Sequence, residues 1–83
     1  MPTICHFYGI IIVMYQHRKE HEPPHIHAIS QDYDVPVSIA TGEVMVGDFP
    51  KKARAMVKEF VLKNQRELEE MWETGTYRRL PPV

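Results

Sequence analysis

The stretch IIIVMY, residues 10–15, decides how the rest of the chain folds. It is apolar or aromatic at every position, and its first four residues are β-branched, which favours a β-strand. A strand of this composition presents apolar side chains on both faces, as a central strand of a sheet does. The stretch therefore predicts a sheet in which residues 10–15 lie between other strands and need cover on both sides.

Further strands are predicted before and after this run. Their signals are β-branched and aromatic residues, alternation of apolar with polar positions, and turn residues at their ends. The predicted strands are residues 3–8 (TICHFY), 10–15, 25–30 (HIHAIS), 33–39 (YDVPVSI) and a short fifth at 44–46 (VMV). Gly9 and Gly42 mark turns. We therefore expect an antiparallel sheet of four to five strands within about residues 3–47.

A long C-terminal helix is predicted from about residue 50 to residue 74. Its apolar residues recur at spacings of three and four, which forms one stripe facing a core. They are Ala53, Met56, Val57, Phe60, Val61, Leu68, Met71 and Trp72. Pro50 suits the start of a helix and Gly75 its end. The expected fold is α+β: a single domain over residues 1–83, with one long helix packed on one face of the sheet and an extended tail at 75–83.

Size and composition are those of an ordinary small domain. The 83 residues suffice for one core, and the apolar fraction of 43% is normal. A net charge of −1 gives no overall attraction to nucleic acid or anionic membranes. The single cysteine, Cys5, excludes an internal disulfide and is predicted to be an inert core thiol. Because no apolar run approaches the ~20 residues of a membrane span, we expect a cytoplasmic protein without membrane contact.

The segment HEPPHIHA, residues 21–28, concentrates residues that can do chemistry. On a strand, His25 and His27 point to the same face with Cα atoms ~6.6 Å apart. Two imidazoles so placed can bind one divalent ion such as zinc with bonds of ~2.0–2.1 Å. His21 or Glu22 would add a third ligand, which gives a candidate metal site at His21, His25 and His27. The competing interpretation is that these rings are hydrogen-bonded residues at the rim of the sheet.

His25 and His27 are also candidate catalytic residues for RNA cleavage, since imidazole exchanges protons near neutral pH. Such a ribonuclease also needs a cationic clamp for phosphate. Lys51, Lys52 and Arg54 lie at the predicted helix start, where the helix dipole makes each cation unfavourable by ~0.3–1 kcal/mol. We therefore take them as a candidate anion-binding site. Favourable side-chain pairs and solvation along the helix are the alternative explanation.

Several short motifs occur together along this chain. MPTI and FYGI open it, PPHIHA begins the third strand, TGEV forms a turn, PKKA starts the helix, and Trp72 precedes a leucine-proline tail. This combination resembles a bacterial family catalogued as domain of unknown function 4160, over nearly the whole chain. Members are often encoded beside a second small protein, in pairs that resemble toxin–antitoxin modules. The resemblance implies a partner protein but supplies no catalytic residues.

Three functions are compatible with these residues. The leading hypothesis is a small protein-interaction module within a toxin–antitoxin-like two-protein system. The alternatives are a ribonuclease using His25 and His27, and a divalent-metal-binding protein. Because residues 10–15 are apolar on both faces and one helix covers one face, we expect another molecule to cover the second. The expected partner is a second copy of the chain or a small protein from a neighbouring gene, with RNA as a further candidate.

Overall fold

The structure, a computed structural model, describes residues 2–15 and 23–82. Within them, four strands form one antiparallel sheet in the order β1-β2-β3-β4. The strands are β1 (Thr3–Phe7), β2 (Ile10–Val13), β3 (His25–Ser30) and β4 (Tyr33–Ser38), and they are followed by helices α1 (Lys51–Lys63) and α2 (Gln65–Thr74). The expected α+β class and the antiparallel sheet are confirmed.

Strand β2 lies between β1 and β3, as its apolar composition predicts. Ile12 pairs with Cys5 on one side and with Ala28 on the other. Ile10 and Ile12 belong to the main hydrophobic core. Val13 is only 1% exposed yet lies outside that core, because alternate residues of a strand point to opposite faces. The strand therefore buries apolar side chains on both faces.

The helical segment is two helices rather than the one long helix expected. Asn64 separates them, with φ −119° and ψ 27°, which is not a helical conformation. Its side-chain Nδ2 donates to the Phe60 carbonyl, and its backbone N–H donates to the carbonyls of Phe60 and Val61. An asparagine side chain that bonds nearby carbonyls competes with the helical pattern of the backbone. The prediction of an uninterrupted helix was wrong at this residue.

Both helices nevertheless present the predicted apolar stripe to one face of the sheet. Val57, Phe60 and Val61 of α1 and Leu68, Met71 and Trp72 of α2 are buried. The Phe60 ring lies 5.6 Å from that of Phe7 on β1. Gly75 ends α2 with φ 72°, and its N–H donates to the Met71 carbonyl, so the predicted helix end is confirmed.

The two edges of the sheet each bond to another segment. Along β4, Ser38 N–H donates to the Glu43 carbonyl and Met45 N–H to the Pro36 carbonyl. The predicted fifth strand amounts to a single bridge between Val37 and Val44. Along β1, Leu80 of the tail donates its N–H to the Ile4 carbonyl. These bonds occupy backbone groups that would otherwise be open to another strand.

The side of the sheet opposite the helices is called the open face here. Its side chains come from alternate positions of the strands and from their paired partners. They are Thr3, His6, Ile11, Val13, His25, His27, Ile29, Asp34, Pro36 and Ser38. All except Val13 are half-buried or exposed, whereas their helix-side neighbours are buried except Ser30 and Tyr33 at the β3–β4 turn. In the described ranges, α2 reaches this face at its end, where the Trp72 ring lies 5.0 Å from that of His25.

Candidate functional site

Strand β3 places His25 and His27 side by side on the open face. Their ring centroids are 5.4 Å apart and the ring planes are inclined by 60°. Both rings are half-buried and line a shallow cavity of about 420 Å³ together with Pro36, Met45 and Val46. The two imidazoles therefore share one space that is open to solvent.

Each of these histidines has one ring nitrogen held by an acceptor. His27 Nδ1 lies 3.0 Å from Oδ1 of Asp34, and His25 Nδ1 lies 3.0 Å from the Pro23 carbonyl oxygen. A carbonyl and a carboxylate only accept hydrogen bonds, so both imidazoles donate from Nδ1–H. In the neutral rings Nε2 then carries the lone pair, which makes it the atom available to a proton or a metal ion.

Aromatic side chains fix the positions of the two rings. Tyr15 meets His27 edge to face, with centroids 4.5 Å apart. Trp72, near the end of α2, lies 5.0 Å from the His25 ring. Contacts of this kind restrict how far a ring can rotate and add to the burial of each pair. The pair is therefore held from both sides, and Trp72 does more than fill the core.

Met45 and Val46 form an apolar rim beside the histidines. Their relative exposures are 41% and 68%, which are high for such side chains. The sequence predicts a short strand here, whose residues would alternate between two faces. The structure instead directs both towards solvent next to the cavity that His25 and His27 line. An exposed apolar rim beside polar atoms is a common composition for a binding surface.

The third predicted metal ligand, His21, and its alternative, Glu22, lie outside the described residues. Among residues 2–15 and 23–82, no three His, Cys, Asp or Glu side chains come together as a metal-binding group. Asp34 is close to the pair, but its carboxylate bonds the Nδ1 side of His27. The described part of one chain thus offers two metal-ligating nitrogens.

The predicted anion site lies elsewhere on the molecule. Lys51 and Lys52 are exposed, and Arg54 donates from Nη2 to the Phe49 carbonyl at 3.2 Å. Phe49 packs on Tyr33, at the opposite end of β4 from the partner of His25, Ser38. Five residues of strand span ~16 Å. The structure therefore does not bring the cationic helix start to the histidine pair.

Cys5 lies on the helix side of the sheet, away from this site. It is 1% exposed and belongs to the main core. Burial raises the pKa of its thiol above the ordinary value of 9.0, because the thiolate is poorly solvated there. The thiol is thus a packing residue.

Asp34 is the site residue that sequence reasoning missed. Its signal was the two-residue gap between the predicted third and fourth strands, which sets the register of a hairpin. That register pairs Ile29 with Asp34 and His27 with Pro36, which puts Asp34 on the same face as His27. Tyr15 has no signal in the sequence beyond its place at the end of the apolar run. Neither residue has a motif of its own.

The fold and the site together define a small α+β domain that carries a histidine pair on an open sheet face. A family model described as "Domain of unknown function (DUF4160)" matches residues 9–73. The chain belongs to this family, which confirms the resemblance of its motifs. The matched segment contains His25, His27 and Asp34. Comparisons with curated proteins and with solved structures find no match. None of the helices in the described residues is long and apolar enough to cross a membrane.

Proposed function

We propose that this protein is a small protein-interaction module and that one end of its open face binds the partner. This surface, called the hairpin end here, consists of Ile11 and Ile29 on the open face and of Tyr8 in the neighbouring turn, where its ring lies 6.3 Å from that of the core residue Phe7. Ile11 and Ile29 are paired neighbours in the middle of the sheet and are only half-buried. Tyr8 is 76% exposed in the turn between β1 and β2. Apolar and tyrosine side chains in such positions are typical anchors of protein interfaces.

The observation that carries this proposal is the half-buried Ile11–Ile29 pair. Two neighbouring isoleucines on the inner strands of a sheet normally face a packed layer. Fully burying an isoleucine side chain is favourable by ~1.5–3 kcal/mol, so covering both adds appreciably to a binding free energy. Because the edges of the sheet bond to Met45 and Leu80, docking on the face is favoured over addition of a strand.

The partner that we propose is a small protein acting with this one in a toxin–antitoxin-like two-protein system. Membership of the family supports this proposal, because members are often encoded beside a second small protein and these gene pairs resemble toxin–antitoxin modules. The uncharged Ile11 and Ile29 suit an apolar or aromatic contact on the partner, and the exposed Asp34 carboxylate paired with Ile29 suits a polar or cationic contact beside it. A standard interface buries ~800 Å² on each partner, roughly one seventh of the 5396 Å² accessible surface. Tyr8 and residues around the isoleucines would have to contribute to such an area.

Charge introduced at the hairpin end tests this proposal. Ile11→Lys and Ile29→Lys each place an ammonium group in the surface that the partner would cover, so affinity for the co-encoded protein should fall at least tenfold. Leu62→Lys is the matched control, since Leu62 is also apolar and is 46% exposed on α1. Affinity is measured by calorimetry with both purified proteins, and circular dichroism checks the fold of each variant. Equal binding by wild type and Ile11→Lys would refute the proposed surface.

RNA cleavage is a second candidate function, favoured by the His27–Asp34 bond. A carboxylate that fixes Nδ1–H leaves Nε2 to act as a base, as in hydrolase triads. In this reaction His27 Nε2 accepts the proton of the ribose 2′-hydroxyl, whose oxygen attacks the phosphorus. Protonated His25 then gives its proton to the departing 5′-oxygen, and a cyclic phosphate forms. The described residues lining the cavity include no Lys or Arg, so this function ranks second.

Histidine variants test the cleavage reaction. His25→Ala and His27→Ala should each lower cleavage of RNA at least tenfold, since acid–base groups typically contribute ~100-fold or more. His6→Ala is the control, because His6 is an exposed histidine on the same face but outside the pair. Wild-type protein that is free of its partner and cleaves no RNA would remove this function.

A further inference from the structure

The histidine pair has the spacing of two ligands of one metal ion. Two imidazoles that share a tetrahedral zinc through bonds of ~2.0–2.1 Å have ring centres ~5 Å apart. The observed separation of the His25 and His27 centroids is 5.4 Å. Both rings line the same cavity, and both donate from Nδ1 to fixed acceptors. Such acceptors orient a ligating histidine and make its other nitrogen a better donor to the metal.

We propose that His25 and His27 bind one zinc-type divalent cation through Nε2, and that the same two residues of a second copy of this chain complete the site. Structural zinc sites are almost always four-coordinate, and the described part of one chain brings two ligating nitrogens together. A two-fold axis through the ion places the same pair from a second copy opposite the first, because such an interface is self-complementary. The resulting set of four imidazoles suits zinc, copper and nickel.

Charge and packing around the pair agree with this assembly. Each copy brings one Asp34 carboxylate, bonded to its own His27, so two carboxylates offset the two positive charges of the ion. The exposed Met45 and Val46 of each copy lie beside the histidines. In the assembly they would surround the ion and exclude water, which strengthens the electrostatic attraction between the ion and the carboxylates.

The proposed metal site and the proposed partner surface adjoin on the open face. His25 is four residues from Ile29 on β3, ~13 Å along a strand, but His27 is only two residues from it, ~6.6 Å. Asp34, which bonds His27, is paired with Ile29. The metal ligands His25 and His27 and the partner contacts Ile11 and Ile29 are nevertheless different side chains, so each proposal has its own substitutions.

The test is a titration of zinc chloride into the full chain, purified without a histidine tag or a metal resin. Calorimetry should give one zinc per two chains, and analytical ultracentrifugation should show dimers form as zinc is added and disappear with a chelator. His25→Ala and His27→Ala should each weaken zinc binding at least tenfold and prevent the zinc-dependent dimer. His6→Ala should leave both unchanged. X-ray absorption should report four nitrogen ligands per zinc.

Three outcomes would overturn the proposal. The first is one zinc per chain without dimers, which places the remaining ligands within the same chain. The second is loss of the zinc-dependent dimer in His21→Ala or Glu22→Gln, which likewise makes those residues ligands. The third is unaltered zinc binding by His25→Ala. Ile11→Lys should still dimerise with zinc as wild type does. His25→Ala should still bind the partner protein as wild type does. Failure of one proposal is therefore distinguishable from failure of the other.

Discussion

His27 and Asp34 are joined across the β3–β4 hairpin by a hydrogen bond of 3.0 Å between Nδ1 and Oδ1. The bond is diagonal, because the residue directly opposite His27 is Pro36. A proline side chain offers the imidazole no polar partner, so the carboxylate two residues away supplies it. This single contact fixes which nitrogen of His27 holds the proton, and both the proposed metal site and the proposed acid–base reaction depend on that choice.

Asp34→Ala should shift the tautomer of His27. Without an acceptor beside Nδ1, the proton redistributes between the two ring nitrogens, whereas Asp34→Asn keeps an acceptor in the amide oxygen. The free energy of unfolding should change by less than about 1 kcal/mol in either variant, because both partners are partly exposed. Long-range proton–nitrogen NMR correlations of the imidazole report the tautomer. An Asp34→Ala spectrum identical to that of wild type would contradict the role of the bond.

Phe60→Ala should remove most of the stability of the domain. Phe60 is fully buried, contacts the Phe7 ring and belongs to the core between α1 and the sheet. Loss of a buried phenylalanine side chain costs about 3–5 kcal/mol, and a domain of this size has on the order of 5 kcal/mol in total. Leu62→Ala on the same helix should stay within about 0.5 kcal/mol, since Leu62 is 46% exposed. Urea unfolding followed by circular dichroism measures both.

The sheet could be predicted from sequence because its signals are local. Residues 10–15 are apolar on both faces, which requires a central position, and the two-residue hairpin between β3 and β4 sets their register. The helix break at Asn64 was not predicted, because Val61 and Leu68 are seven residues apart and stay on one helical face. Periodicity alone cannot distinguish one helix from two that keep the same phase.

The site was only half predictable for a related reason. His25 and His27 share a face because of strand alternation, which the sequence shows directly. Their supports, Asp34 and Trp72, come from a neighbouring strand and from the last helix, so they depend on tertiary packing. The same limit applies to Lys51. The sequence pattern predicts that it forms a phosphate clamp beside the histidines, but the distance between them depends on tertiary packing and the structure keeps them apart.

Because of the Glu43–Lys58 pair, the stability of the domain should depend on pH in the acidic range. Lys58 Nζ donates to Glu43 Oε2, and this bond, with the lysine charge, lowers the pKa of Glu43 below its ordinary value of 4.5. The folded state then binds fewer protons than the unfolded chain near and below that value. The contribution is therefore present above pH 4.5 and is lost as pH falls through the lowered pKa.

Glu43→Gln should flatten this part of the pH profile, as measured by urea midpoints between about pH 3 and pH 6. Lys58→Met should flatten it equally, and the double variant should resemble either single one. High salt should weaken the difference in wild type, because the pair is exposed. A profile that stays as steep in Glu43→Gln as in wild type would assign the dependence to other carboxylates.

Gly42→Ala should be more destabilising than Gly9→Ala, although the two glycines have almost the same φ angle. Their φ angles are +74° and +75°, a region that costs an L-residue about 1–2 kcal/mol. A Cβ at Gly9 would meet nothing within 4 Å, whereas a Cβ at Gly42 would lie 3.0 Å from Lys58 Cγ and 3.2 Å from the Lys58 carbonyl oxygen. The carbonyl belongs to α1 and cannot move without disturbing the helix.

The close contact with Lys58 should therefore add about 1–3 kcal/mol to the destabilisation caused by Gly42→Ala, which is the usual cost of overpacking. Gly9→Ala measures the cost of the backbone conformation alone. The difference in unfolding free energy between the two variants therefore gives the cost of the steric contact between the TGEV turn and α1. Urea unfolding of both variants gives this difference directly. Equal destabilisation would mean that the turn can move away from Lys58. Gly42 would then be required for its backbone angle only.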